Sequence, residues 1–218
     1  METLKYLLDV ILHLNKHLDA LVGDYGPWVY AILFLIVFCE TGLVVTPFLP
    51  GDSLLFAAGA ICAGGNLNIF ALMLLLFVAA VLGDTVNYFI GDKAGHILMR
   101  RYPRLIKQEY ITRTHEFFER YGGKTIIIAR FVPIVRTFAP FVAGVGEMSY
   151  ARFMSFNVIG AFLWVVLLVP AGYFFANVPF VKKNFSLVIL AIIVLSILPG
   201  VFEVWRERRR LRQIVKAG

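Results

Sequence analysis

The sequence predicts an all-α integral membrane protein. The expected architecture is about four transmembrane helices, two oppositely oriented re-entrant helical hairpins forming an inverted repeat, and interfacial amphipathic helices. Three observations lead there. The chain is 60% hydrophobic and 16% charged with mean hydropathy +0.79, more apolar surface than 218 residues can hide in one soluble core. Runs such as Leu67–Gly91, Phe153–Asn177 and Phe185–Trp205 are long enough to span a hydrocarbon slab about 30 Å thick. Two further apolar runs, Trp28–Pro50 and Thr125–Gly146, are interrupted by proline, glycine and charge.

Taken in order, residues 1–24 carry Asp9, Lys16 and Asp19 and lack a compact apolar core, which argues against a signal peptide. Leu4, Leu7, Leu8, Ile11, Leu12, Leu18 and Leu21 recur near a helical period. They predict an amphipathic helix, lying in the interface or packed on the rest of the protein. Residues 28–91 form the first half. Trp28 to about Val44 can span, then Pro47, Pro50 and Gly51 break the helix and Ser53–Ala63 is too short to cross. A re-entrant hairpin is therefore expected at about 45–64, with a turn at Gly64-Gly65-Asn66 and a return crossing over Leu67–Gly91. Residues 92–124 read as a basic cytoplasmic loop with an amphipathic helix, since Ile106, Tyr110, Phe117 and Tyr121 share one face. Residues 125–205 form the second half and 206–218 a basic cytoplasmic tail, all within a single membrane domain.

Charge placement sets the topology. Basic residues cluster in Lys93–Lys124 and in the tail from Arg206 to Lys216, the positive-inside pattern of cytoplasmic segments. Both termini are then cytoplasmic, and the chain between the clusters crosses an even number of times. Three apolar runs lie there, 125–148, 153–177 and 185–205, so one fails to cross. Residues 125–148 hold Pro133, Pro140 and Gly144, which favour a bend and a second re-entrant hairpin. Such backbone is tolerated at membrane depth where protein or a wet cavity surrounds it. Phe48-Leu49-Pro50 leading to Ala58-Gly59, and Phe131-Val132-Pro133 leading to Ala143-Gly144, give the halves a faint shared signature. With opposite entry sides, this matches the inverted repeats of secondary transporters.

Glu40, Asp52, Arg130 and Arg136 are charges placed inside or beside these apolar runs. Each costs about 2.5–3.5 kcal/mol at mid-bilayer if unpaired, so four would cost roughly 10–14 kcal/mol. Two acids and two bases sum to zero, which predicts partners. A guanidinium stays protonated and offers a planar fork to phosphate oxygens, so Arg130 and Arg136 are the candidate headgroup binders. Carboxylates can exchange a proton, so Glu40 and Asp52 are the candidate proton-coupling residues. The bland alternative is an ion-pair network that only holds the hairpins together. Asp84 and Asn87, three apart, share a helix face and are candidates to line the same cavity; Asp84 near the interface is the alternative. Asn157 reads as an interhelical hydrogen-bonder.

Other classes fall away. The net charge of +7 flanks hydrophobic segments, so no nucleic-acid partner is expected. Cys39 and Cys62, the two cysteines, are apolar fillers rather than a disulfide framework or metal site. No phosphate loop, His-Glu-x-x-His or Gly-x-Ser-x-Gly pattern is present, and the four histidines fall outside the apolar runs. No catalytic residue, metal or cofactor is predicted, and self-association is left open.

At Glu40-Thr-Gly-Leu, Phe48-Leu-Pro-Gly-Asp52-Ser, Gly83-Asp84-x-x-Asn87-Tyr88-x-x-Gly91 and Arg130-Phe-Val-Pro-Ile-Val-Arg136-Thr-Phe-Ala-Pro140-Phe-Val-Ala-Gly144, the chain resembles the bacterial DedA family of the VTT superfamily. The likeness runs over nearly its whole length. It implies two opposed re-entrant hairpins, akin to eukaryotic autophagy-related lipid scramblases. It also implies translocation of membrane lipids, undecaprenyl phosphate or phospholipids, with dependence on the proton motive force. By motif position, Glu40 and Asp52 match the family's essential acids, and Arg130 and Arg136 its essential arginines. The function expected is a flippase or scramblase whose partners are those lipids and protons. The alternatives are a proton-coupled ion antiporter maintaining membrane energetics, or a structural membrane organiser.

Overall fold

The computed structural model describes residues 26–43, 51–65, 67–101, 123–179, 181, 187–188 and 190–192. Six helices follow in order: α1 (Trp28–Gly42), α2 (Gly51–Ala63), α3 (Ile69–Arg101), α4 (Lys124–Ala129), α5 (Pro133–Val145) and α6 (Tyr150–Phe175). No strand occurs among the described residues. The predicted N-terminal helix, the breakers Pro47 and Pro50, the amphipathic helix after Arg101 and the basic tail lie outside the described residues.

Two helical stretches, Ile69–Ala94 and Tyr150–Phe175, are 26 residues each and apolar enough to cross a membrane. At 1.5 Å per residue each is about 39 Å long, more than a hydrocarbon core requires. By the same rule the 13 residues of α2 and of α5 reach only about 20 Å. The all-helical, apolar character of the prediction therefore stands.

Local chemistry explains the element ends. Asn68 caps α3, its side-chain oxygen accepting from Phe70 N–H at 3.0 Å and Ala71 N–H at 3.1 Å. The helix then runs past Gly91, where the sequence predicted its end, to Arg101. Gly91 is not a stop. A Cβ there would fall 2.1 Å from the Phe141 carbonyl oxygen, so the glycine admits α5 rather than ending α3. Arg130, Phe131 and Val132 form the break between α4 and α5, with Pro133 opening α5, where a missing N–H costs nothing. Pro140, expected to break the hairpin, sits inside α5 and the helix continues through it. It only withdraws the donor that the Arg136 carbonyl would have met one turn back.

The packing is reciprocal between the halves. The short helix α2 of the first half lies mainly on α6 of the second, and α5 of the second lies mainly on α3 of the first. Each crossing is closed by a glycine from either helix. On α2–α6, Cβ atoms at Gly59 and Gly172 would fall 2.0 and 1.9 Å from the Val169 and Phe56 carbonyl oxygens. On α3–α5, Gly91 and Gly144 play the same parts against Phe141 and Tyr88, at 2.1 Å each. Gly144, expected as a breaker, is thus a contact point inside α5. Small residues let backbones approach this closely, the usual way apolar helices associate.

Two apolar clusters fill the interior. The larger is built from α1, α2, α3 and α6 around Leu33, Leu55, Leu76 and Trp164. The smaller gathers Tyr88, Ile126, Ala129, Ala139, Ala143 and Phe153. Side chains from both line one cavity, so the charged residues occupy the seam between them.

Candidate functional site

Where α1 ends and α2 begins, two acids face one arginine. Glu40 lies in the last turn of α1, 1% exposed, and its Oε1 accepts from the Gly51 N–H at 3.1 Å. Gly51 is the first residue of α2, and a Cβ there would fall 2.0 Å from Glu40 Oε2. Glycine there lets α2 start against the carboxylate. Arg136, in the first turn of α5, donates through Nη2 to Glu40 Oε1 and through Nη1 to Asp52 Oδ1, the latter at 2.8 Å.

Six residues earlier in the chain, Arg130 follows the last residue of α4 and turns to the long helices. Its Nη2 donates to Asp84 Oδ2 on α3 and to Asn157 Oδ1 on α6, the latter at 2.6 Å. Asn157 in turn donates to the Val81 carbonyl at 3.1 Å, so its amide is both interhelical brace and arginine partner. Asp84 is 6% exposed and buried with Arg130. It is a third acid. Three carboxylates against two guanidinium groups give a formal charge of −1, where the sequence reading balanced two against two.

Asn87, fully buried, donates through Nδ2 to the Thr41 carbonyl at 3.1 Å and the Thr137 carbonyl at 2.8 Å. Thr41 follows Glu40 and Thr137 follows Arg136, so one amide holds the backbone beside both members of an ion pair. The sequence placed Asn87 as a cavity liner; its contacts make it a clamp between α1 and α5.

Trp164 was missed. Its Nε1–H donates to Asp52 Oδ1 at 2.8 Å, and the guanidinium carbons of Arg136 and Arg130 lie over its ring at 5.0 and 5.8 Å from the centroid. A signal was present: Trp164 lies seven residues after Asn157, two turns along one face of α6. A buried indole N–H also needs an acceptor.

Thr41, Asp84, Arg130, Arg136 and Trp164 line a cavity in which the centre of a water molecule has about 10 Å³, room for one water. Among the described residues, four buried polar atoms have no hydrogen-bond partner: Glu40 Oε2, Asn87 Oδ1, Arg130 Nη1 and Arg136 Nε. No group of three His, Cys, Asp or Glu among them is placed to hold a metal ion. Among the described residues the arrangement offers two guanidinium N–H groups without a protein partner, beside three carboxylates.

The VTT domain family model matches residues 49–174 of the chain. Protein DedA of Escherichia coli strain K12 is 55% identical over 99% of this chain and 100% of its own length. The chain belongs to the DedA family. This DedA-family chain is also 45% identical to a membrane protein of Mycobacterium tuberculosis, over 88% of this chain and 86% of that protein. It is 37% identical to inner membrane protein YqjA of E. coli strain K12, over 71% and 70% respectively. These relatives are named as membrane or inner membrane proteins, and the apolar helices of this DedA-family chain agree with a membrane protein. No solved structure matches it significantly.

Proposed function

We propose that this DedA-family protein moves a phosphate-bearing lipid, undecaprenyl phosphate or a phospholipid, between the leaflets of the bacterial inner membrane, in dependence on the proton motive force. Arg130 and Arg136 hold the headgroup, and Glu40 and Asp52 link its release to proton binding. One observation carries the reading. Both arginines line a single cavity, and each keeps a buried N–H without a partner. Among the described residues four buried polar atoms have no protein partner, and each such group left unsatisfied costs about 1–3 kcal/mol, which favours a polar occupant of the cavity. Nor is a buried ion pair by itself a strong source of stability, because desolvation offsets most of the attraction. Spare donors in a partly dry site suit an anion that comes and goes.

The accompanying architecture makes α2 and the α4–α5 pair parts of two re-entrant hairpins with opposite entry sides. The chain is multi-pass with cytoplasmic termini, and acts without a cofactor or enzymatic step. Support comes from the short lengths of α2 and α5 and from their exchange onto the long helix of the opposite half. Related midplane sites in transporters lie at broken helices between inverted repeats.

Proteoliposomes carrying labelled undecaprenyl phosphate or labelled phospholipids, with and without a pH gradient, test the proposal. Wild-type protein is expected to move at least one of these lipids faster than empty vesicles do, and Arg130→Ala and Arg136→Ala to abolish the difference. Wild-type vesicles no faster than empty ones for every lipid overturn it. A pH gradient that collapses on adding Na⁺ or K⁺ without lipid replaces it with antiport.

A further inference from the structure

We propose that Trp164 is a positioning residue that ties the charge of Asp52 to both arginines, so that a proton arriving on Asp52 releases the two guanidinium groups toward the cavity together. Contacts from separate elements meet at this indole. Its N–H and Arg136 Nη1 donate to the same oxygen, Asp52 Oδ1, each at 2.8 Å. Both guanidinium carbons lie over its ring, and its side chain is 1% exposed and lines the cavity. Asp84 and Asn157 hold Arg130, Glu40 and Asp52 hold Arg136, and Trp164 touches both sets.

The coupling follows from the acceptor. A carboxylate takes hydrogen bonds more strongly than a carboxylic acid, and the attraction of a cation to an aromatic ring depends on the ring facing it. While Asp52 is charged, the N–H edge of the indole is fixed, and the fixed ring face holds both cations. A proton on Asp52 weakens both bonds at Oδ1. The ring loses its edge anchor and Arg136 loses one of its two acids in the same event. The other charged groups around this point are Glu40 from α1, Asp84 from α3, Arg130 after α4 and Arg136 from α5. From α6 come only the neutral Trp164 and Asn157. One proton takes the formal charge of the cluster from −1 to zero, and an anionic headgroup entering then restores −1. The proton comes from water and returns to it; no bond between heavy atoms changes.

The transport reading gives this device its purpose; the fluorescence test does not depend on it, and the translocation profile does. With Trp28 and Trp205 replaced by phenylalanine, Trp164 is the remaining tryptophan. Its fluorescence, followed against pH in detergent without any lipid cargo, is expected to titrate in a single step, and Asp52→Asn to remove that step. In proteoliposomes, Trp164→Phe keeps a ring near the arginines and deletes the N–H. With that donor gone, the pH profile of translocation is expected to differ from that of the wild type. Emission that does not respond to pH, a titration surviving Asp52→Asn, or a Trp164→Phe profile superimposed on wild type each overturn the proposal. If Asp52→Asn fails to fold, the Trp164→Phe profile decides. Emission that titrates through Asp52 in protein that moves no lipid upholds the coupling and removes the cargo. Lipid movement with flat emission does the reverse.

Discussion

Arg136 and Arg130 are six residues apart in one segment, yet they are held in opposite ways. Arg136 meets acids at the ends of elements: Glu40 two residues before the end of α1 and Asp52 at the second residue of α2. Arg130 meets Asp84 and Asn157, which sit within the two long helices. Side chains on continuous helices are placed by many turns of backbone. Those at element ends move when a few dihedral angles change, as hinge residues do. In the proposed cycle the acids around Arg136 are the part built to open, while Asp84 and Asn157 stay in place as Trp164 lets the Arg130 guanidinium go.

The sharpest way to break that comparison is to remove each arginine alone and then together with an acid. Arg136→Ala strands Glu40 and Asp52, and Arg130→Ala strands Asp84. Leaving a buried charge uncompensated costs about 3–5 kcal/mol. Thermal unfolding in detergent is expected to show a loss of that size for both. Adding Asp84→Asn to Arg130→Ala should recover most of the stability, because the pair is nearly one to one. Adding Glu40→Gln to Arg136→Ala should recover less, since Asp52 remains. Translocation should fall by roughly 100-fold or more in all four, because positioning lost at the reacting centre costs that much. Equal rescue in both double variants would mean the two arginines are held alike.

Legibility in the sequence divides along the same line. Glu40, Asp52, Arg130 and Arg136 stood out because a charge inside an apolar run is too costly to be accidental. Asp84 was ambiguous because it falls seven residues before Gly91, which looked like the end of a crossing. Only the continuation of α3 to Arg101 places it well inside the helix. Trp164 was missed because an indole in an apolar run passes for bulk despite its spacing from Asn157, and its N–H acceptor sits on a helix 112 residues away. Pro140 and Gly144 were read by local propensity as breakers. Packing against α3 overrode propensity at Pro140, which α5 runs through, while the helix ends one residue after Gly144. Their neighbour Pro133 does mark a break, since it opens α5 rather than interrupting it.

A smaller effect probes whether the two halves are equivalent scaffolds for these unequal sets. Gly59→Ala and Gly144→Ala each place a methyl group about 2 Å from a backbone oxygen, Val169 on one side and Tyr88 on the other. Backbone cannot rotate out of the way, so each crossing must widen. Overpacking of this kind costs about 1–3 kcal/mol. The losses in unfolding temperature are expected to be alike, because each glycine lies opposite a second one on its long helix. A large loss at one site and none at the other would sink the idea of reciprocal packing.

The smallest expected change in stability belongs to Asn87→Leu, and it bears most directly on how the movable set is held. Leucine is of similar size and removes two hydrogen bonds, to the carbonyls of Thr41 and Thr137. It also removes a buried oxygen, Asn87 Oδ1, that has no partner. The two changes oppose each other, so net destabilisation of about 1 kcal/mol is expected. Translocation should suffer more, by roughly tenfold, because the amide aligns the backbone that carries Glu40 with the backbone that carries Arg136. The Arg130 set does not depend on these two bonds. Headgroup analogues should therefore still protect the protein against unfolding in Asn87→Leu, with transport impaired. If transport and protection fall together, in proportion to lost stability, Asn87 is only a structural brace. If protection persists while transport drops, the amide governs the opening set alone.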